Sequence, residues 1–423
     1  MDLYGELEWR GLVYDATEGL RDLIAREKLT TYIGFDPTAA SLHVGSLLPL
    51  VTLARLQRFG HPPVAVVGGG TGMIGDPSGK ATERALLTME QVETNVEGIR
   101  RQVSRFLDFD DIAAPARLVN NAEWLTKLSA IEFMRDVGKY FTVNAMLAKE
   151  SVKRRMESED GISYTEFSYS LLQAYDFLVL HDRFGCMLQL GGSDQWGNIL
   201  AGCDLIRRLK GIKAHGLVMP LMTTASGAKF GKTEAGAVWL DPGLTSPFRF
   251  FQFWLHTDDG DVGKYLRFFT FLDRPAVEQL EDAARTAPER REAQRALARE
   301  VTRMVHGDEA VARAERASGV LFGEDISTLP AEDVLSVFDD VPSSTVTADK
   351  LAGEGVAVVE LLAASGLTAS KGEATRLIRG GGVYVNNRRV TDEKARLRSG
   401  DAIDGRLFVL RKGAKQNHVV KIG

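Results

Sequence analysis

The chain has 423 residues and a mass of 46.4 kDa, more than one ordinary hydrophobic core accommodates, so two or three domains are expected. Hydrophobic residues make up 44% and charged residues 26%. No run approaches membrane-spanning length, and Met1–Trp9 is acidic without an apolar stretch, which argues against secretion or insertion and for a cytoplasmic protein. The two cysteines, Cys186 and Cys203, lack C-x-x-C spacing and imply neither a disulfide framework nor a structural zinc site. The net charge of −5 conceals a split. Residues 355–423 carry 13 Lys+Arg against 6 Asp+Glu, or +7, while the remainder carries 39 against 51, or −12. A basic module on an acidic body suits a phosphate-backbone partner.

In chain order, Thr30–Phe35 mixes β-branched and aromatic residues as a buried strand does, and Asp36-Pro37 ends it because proline lacks a backbone donor. From Gly45 to Phe59 the pattern GSLLPLVTLARLQRF predicts a helix packed inside a layered α/β domain. Its N-terminus points free N–H groups at a loop holding Thr38 and His43, a favourable place for an anion, and Gly45 leaves room for a flat base to approach. Taken alone, the stretch is equally a strand-to-helix turn with a surface histidine.

Val64–Val67 is a second β run, followed by GGGTGMIGDPSGK, from which Asp76 emerges. Lys80 and Arg84 follow at i and i+4 as at a helix start, where they are read from spacing alone as two exposed basic residues. Residues 110–166 are read as a largely helical insertion. In ISYTEFSYSLLQAYDFLVL, Tyr169, Gln173 and Asp176 fall at i, i+4 and i+7, placing a phenol, an amide and a carboxylate on one face of an otherwise apolar helix. That stripe lines a pocket or faces solvent. Strand-like Cys186–Leu190 runs into the glycine-rich turn 191–198, at a strand's carboxyl end where open α/β sheets place ligands, and Asp194 there can accept from ribose hydroxyls. A further strand, Leu217–Met222, precedes Lys229-Phe230-Gly231-Lys232-Thr233, two ammonium groups and a hydroxyl in a glycine-flanked loop able to close on a polyphosphate. The resulting division is 1–244 for a catalytic domain with the insertion, 245–322 for an all-helical domain, 323–354 for a linker and 355–423 for a small α+β domain.

HVGS followed much later by KFGKT resembles the HIGH and KMSKS signatures of class I aminoacyl-tRNA synthetases, and with the intervening residues the resemblance narrows to bacterial-type tyrosyl-tRNA synthetases. It covers nearly the whole chain. It implies a Rossmann-like parallel-sheet nucleotide domain with a helical insertion, then an all-helical domain and a small α+β RNA-binding domain. It also implies a ligase that joins tyrosine to ATP as tyrosyl-adenylate and passes the tyrosyl group to the terminal ribose of tRNA. Thr38, His43, Lys229, Lys232 and Thr233 are then the groups that stabilise the reacting phosphates. Tyr32 and Asp176 resemble the pair receiving the phenolic hydroxyl; Asp76, Tyr169 and Gln173 resemble the ammonium cage; Gln195 addresses the carboxyl region and Gln189 supports the pocket. Gly34, Asp36, Gly45, Ser46, Gly192, Asp194, Lys80 and Arg84 correspond to the nucleotide side. Ser46 departs from the signature's usual histidine, and Phe230 and Gly231 replace its methionine and serine.

The tail pattern LL-x₇-K-x₂-A-x₂-LI-x-GG-V-x-VN resembles an RNA-binding fold shared with a small-subunit ribosomal protein, with Ser370, Lys371, Arg376, Arg379, Arg388 and Arg389 as its basic edge. Lys149, Lys153, Arg154, Arg155, Arg207, Arg208 and Lys210 are candidates for the acceptor stem, or solvated helix faces. The resemblance further implies a homodimer joined through the insertion, magnesium arriving with ATP, no protein-caged metal and no membrane partner. Two rival readings are a tryptophanyl enzyme, disfavoured by Tyr32, Asp176 and the basic tail, and a catalytically dead RNA-binding scaffold, disfavoured by intact His43, Lys229, Lys232 and Asp176.

Overall fold

A computed structural model describes residues 2–78, 87–157, 161–223, 230–233, 236–321, 326, 329–338, 341–413 and 416–423, with residues 232 and 233 described as backbone. The chain forms two compact units, Met1–Leu244 with Thr257–Leu297, and Thr245–His256 with Ala298–Gly423.

The first unit is built on a six-stranded sheet. Its strands are β1 (Asp15–Ala16), β2 (Thr30–Phe35), β3 (Pro63–Val67), β4 (Arg117–Asn120), β5 (Cys186–Gly192) and β6 (His215–Met219), in the order β1-β6-β5-β2-β3-β4. All pairs are parallel except β1 with β6. β3 and β6 are buried at every position, as strands covered on both faces are. β2 is flanked by β3 on one side and β5 on the other, so chain order reverses there and the carboxyl ends of these strands open a crevice. The apolar helix Leu47–Arg58 follows β2 and buries most of its residues. Helix Tyr164–Phe184 starts at a Ser163 cap and ends at Gly185 in the left-handed conformation.

Three expectations about organisation change. The insertion starts later than residue 110, because β4 is an edge strand of the main sheet and helix begins at Ala122; four residues are too few to show a period. The helical stretch 245–322 is divided, with Thr257–Leu297 packing onto the nucleotide unit. Two buried guanidiniums anchor it there. Arg10 donates to the carbonyls of Arg267, Thr270 and Leu272, and Arg55 donates to Thr270. These contacts cap the end of helix Asp259–Phe269, where carbonyls lack helical partners.

The third change concerns residues 323–354, read as linker. Helix Ala331–Val337 packs Ala331 and Val334 into a cluster with Leu407, Val409 and Val419. Strand Ser343–Val346 pairs in parallel with Val419–Ile422. The second unit thus closes a five-stranded sheet in which Gln416–Ile422 is interior, between Leu407–Lys412 and Ser343–Val346. Helices Val358–Ala364 and Lys371–Arg379 bury Leu361, Leu362, Ala374 and Ile378 in one core with Phe408 and Leu410.

Candidate active site

The crevice at the carboxyl ends of β2, β3, β5 and β6 is a cleft of about 630 Å³. Tyr32 forms part of its lining and is 2% exposed; its ring meets Phe177 edge-on at 5.2 Å. In the β2–β5 register Tyr32 lies opposite Gln189, and the Oη of one and the Oε1 of the other are buried without a hydrogen-bond partner. Asp176 also lines the cleft, accepting from Asn121 Nδ2 at 2.9 Å and Trp124 Nε1 at 2.6 Å. Burial pushes the Asp176 carboxyl up to about 7 despite those two donors, and the same desolvation, with Asp176's charge, pushes the Tyr32 phenol well above its ordinary value. An orphaned phenol, which can donate, and an orphaned amide oxygen, which accepts, on the same cleft as a buried carboxylate fit a ligand hydroxyl that can both donate and accept.

One turn along the same helix, the predicted polar stripe enters a second network. Gln195 Nε2 donates to Asp76 Oδ2 at 2.6 Å, and Gln173 Nε2 donates to Gln195 Oε1 at 3.2 Å. Asn198 Nδ2 bridges Gln173 Oε1 and Ser78 Oγ, and Ser78 N–H donates to Asp76 Oδ1. Tyr169 Oη donates to Asp36 Oδ1 at 3.3 Å. Tyr169, Gln173, Asp176, Asp76, Gln195 and Tyr32 are therefore brought together, with the carboxylates of Asp36, Asp76, Asp176 and Asp194 all on the cleft wall.

The nucleotide-side candidates Gly34, Asp36, Gly45, Ser46, Gly192 and Asp194 line the same cleft, as does His43. Val44–Ser46 is a 3₁₀ turn, and the α-helix starts only at Leu47. Gly45 N–H donates to His43 Nδ1 at 2.9 Å, so this helical donor is satisfied within the chain, and a Cβ at Gly45 would sit 2.6 Å from the imidazole. The absence of a side chain at Gly45 makes room for the His43 ring. Thr38 is exposed on the turn, its N–H donating to Asp36, and is not among the lining residues.

The second signature lies against the first. Val44 N–H donates to the Val238 carbonyl and Val238 N–H to that of Gly231. Phe230 lines the cleft and is anchored by stacking on Phe269 at 5.5 Å and by edge contact with Tyr265 at 5.1 Å. Lys232–Thr233 pairs its backbone with Gly236–Ala237. Lys229, Lys80 and Arg84 lie outside the described residues.

Sequence reasoning missed Asn121, Trp124, Ser78 and Asn198, which hold the cleft's polar groups in place. Asn121 has the densest role: its Oδ1 accepts from Gly70 N–H and its Nδ2 donates to Thr71 and Asp176. Arg207 and Arg208 pair with Asp204 on an exposed helix face. In the second unit Ser370 caps helix Lys371–Arg379, Lys371 pairs with Glu360, Arg379 with Glu393, and Arg389 donates to the Gly381 carbonyl. Arg376, Arg388 and Arg389 are exposed. Among the described residues no group of three metal-ligating side chains occurs, and no helix is long and apolar enough to cross a membrane.

A parallel nucleotide sheet carrying this turn and cleft defines a class I synthetase fold. The family model "tRNA synthetases class I (W and Y)" matches residues 25–323, and "Tyrosine--tRNA ligase SYY-like C-terminal domain" matches 333–420. The chain is 59% identical to the tyrosine–tRNA ligase of Roseiflexus castenholzii over 417 residues, 99% of this chain and 98% of that protein. It is 51% identical to that of Geobacillus stearothermophilus over 424 residues, covering all of both. A C-terminally truncated mitochondrial tyrosyl-tRNA synthetase from Aspergillus nidulans superposes with a TM-score of 0.68 at 33% identity, over 76% of this chain and 94% of that one. The Archaeoglobus fulgidus tyrosyl enzyme shares the fold, with a TM-score of 0.53 at 18% identity over 74% and 99%. This chain belongs to the tyrosyl-tRNA synthetases of class I.

Proposed function

We propose that the cleft performs both half-reactions of tyrosine–tRNA ligation with the residues assembled around Tyr32 and Asp176. The observation that carries this reading is their shared wall: a buried phenol with an orphaned Oη and a carboxylate held by Asn121 and Trp124. The substrate phenol donates to Asp176 and accepts from Tyr32. Phenylalanine would leave Tyr32 Oη unpaired in a dry site, a penalty of roughly 1–3 kcal/mol, and would forgo the hydrogen bond to Asp176. Asp76, Tyr169 and Gln173 receive the ammonium group, with Gln195 turned toward the carboxyl region.

The tyrosine carboxylate attacks the α-phosphorus of ATP; the bond to the bridging oxygen breaks and pyrophosphate leaves with the electron pair. No enzyme nucleophile or base is needed, because the attacking group is already ionised. The enzyme contributes placement and charge stabilisation. With Nδ1 accepting from Gly45, the neutral His43 ring carries its proton on Nε2, as a donor toward developing phosphate charge. Lys229, Lys232 and Thr233, with Lys80 and Arg84, supply the phosphate side, and Asp194 the ribose contact. The terminal ribose hydroxyl of tRNA then attacks the acyl carbon and AMP departs.

Magnesium, which neutralises phosphate charge when bound, would arrive with ATP, since Asp36, Asp76 and Asp176 are each already hydrogen-bonded to protein groups. A homodimer is supported by the exposed apolar side chains Ile131, Met134, Val143, Met156 and Tyr164 around the insertion. The enzyme works in the cytoplasm, where its three substrates meet. The basic edge from Ser370 to Arg389 grips the tRNA arm remote from the acceptor end, with Arg207 and Arg208 nearer the acceptor.

ATP–pyrophosphate exchange with each amino acid in turn tests the reading. Exchange with tyrosine at least about 10²-fold above phenylalanine or tryptophan is expected; exchange led by tryptophan, or none at all, overturns it. For the RNA edge, Arg388→Ala with Arg389→Ala should reduce the salt slope of tRNA binding by about 2, and an unchanged slope removes those residues.

A further inference from the structure

Four carboxylates face the cleft, and among its described lining residues there is no lysine or arginine. Such a wall attracts any organic cation. Tyrosine at neutral pH is a zwitterion, so its ammonium is drawn in while its carboxylate is repelled by the same field. A bare amine of the same shape pays only the favourable half. Beyond the cations assigned to the phosphate side, a positive charge close to the ammonium cage would favour the zwitterion over the amine.

Lys149 supplies one. It precedes helix Glu150–Met156 and its stem runs toward the start of helix Trp196–Lys210, with Cδ 3.8 Å from where a side chain at Gly197 would begin. Gly197 lies between Gln195 and Asn198, two members of the network that holds Asp76. The Lys149 Nζ is enclosed by protein and has no hydrogen-bond partner. Burial lowers the ammonium to about 8 and the Asp76 carboxylate opposes that fall, so the two charges act on each other and Lys149 remains protonated at pH 7. An enclosed charge is poorly screened and acts over several ångströms.

Building on the amino-acid site described above, we propose that Lys149 is a positioning residue that tunes this pocket to the zwitterion, its buried ammonium offsetting Asp76 so that a ligand bearing an α-carboxylate is preferred to the corresponding amine. Sequence position alone makes Lys149 equally a candidate for the tRNA acceptor stem. The enclosure of Nζ, with its stem packed at Gly197 between Gln195 and Asn198, favours the pocket.

The test compares the unaltered full-length chain with Lys149→Met and Lys149→Arg at pH 7. ATP–pyrophosphate exchange, which needs no tRNA, gives the KM for tyrosine and the inhibition constant for tyramine, which is tyrosine without its carboxylate. In Lys149→Met the tyrosine KM should rise while tyramine binds as well or better, so that preference for tyrosine falls on the order of 10- to 30-fold. Lys149→Arg, keeping the charge, should recover most of it. A preference unchanged in Lys149→Met overturns the proposal: if both ligands weaken equally the residue is structural, and if only the KM for tRNA rises it is an RNA contact. Absence of tyrosine-dependent exchange in the unaltered chain would overturn the functional reading beneath it.

Discussion

Trp124 Nε1 donates to Asp176 Oδ1 at 2.6 Å, joining the residue just beyond β4 to the middle of the long helix Tyr164–Phe184. Asn121 holds the other carboxylate oxygen at 2.9 Å. Both donors stabilise the ionised form in a site where burial opposes ionisation. Replacing Trp124 by Phe keeps the ring and removes the donor. The expected result is a tyrosine KM raised about tenfold, for roughly 1.5 kcal/mol lost with a charged hydrogen bond. An unchanged KM in pyrophosphate exchange would show that the indole merely packs.

The Asp176 carboxyl at about 7 gives that site a pH dependence whose sign can be worked out. The folded protein holds this proton more tightly than the unfolded chain, where a carboxyl titrates near 4. The group's contribution to stability is therefore complete below pH ~4 and is lost as pH rises through about 7. Recognition of the substrate phenol runs the other way, because the ionised carboxylate is the stronger acceptor. Tyrosine affinity should weaken below pH 7 by up to ~tenfold per unit, and in Asp176→Asn this dependence should vanish. Calorimetric binding from pH 6 to 8 checks both, and a flat wild-type profile contradicts the assignment.

His43 lines the cleft, and in the proposed mechanism it acts on phosphate charge rather than on the amino acid. His43→Ala is expected to lower the rate of adenylate formation by roughly 10²–10³ with the tyrosine KM little altered. Single-turnover kinetics distinguish this from a binding defect. A wild-type rate would remove the imidazole from the mechanism.

Helix Met89–Val103 supports the loop that presents His43. Asn95 Nδ2 donates to the Pro37 carbonyl, while Gln102 accepts from Leu42 N–H and donates to Ser41 Oγ. Between them Gly98 meets the loop so closely that a Cβ there would overlap the Ala40 carbonyl oxygen, a backbone atom that cannot rotate away. Gly98→Ala should therefore displace the loop, lowering the melting temperature and the rate of adenylate formation together, despite alanine's better helix propensity. A variant that gains stability and keeps its rate would mean that the contact yields at no cost.

What could be read from the sequence was what obeys a short period or a local signature. The spacing of Tyr169, Gln173 and Asp176 follows from 3.6 residues per turn, and the structure brings all three to the cleft. The strand Thr30–Phe35 was read at its observed bounds because β-branched residues and the following Asp-Pro mark both its character and its end. Asn121 and Trp124 carry no such mark. They reach the site because β4 lies in register beside β3, a pairing between residues over fifty positions apart, and RLVN is too short to announce a strand. The same holds for Ser343–Val346, a polar strand that forms because the segment Val419–Ile422 presents a ladder to it. Asn95, Gly98 and Gln102 share a helix face, but nothing in that spacing says which loop it will meet.

The interior position of Gln416–Ile422 sets an order of events during synthesis. Leu407–Lys412 and Ser343–Val346 flank that strand, and among the described residues the latter has no other hydrogen-bonded neighbour in its sheet. Until these seven residues have been made, the earlier strand is an edge without its neighbour. The sheet therefore closes only once that strand is available, whereas every strand of the nucleotide sheet lies before Pro220 and can pair earlier.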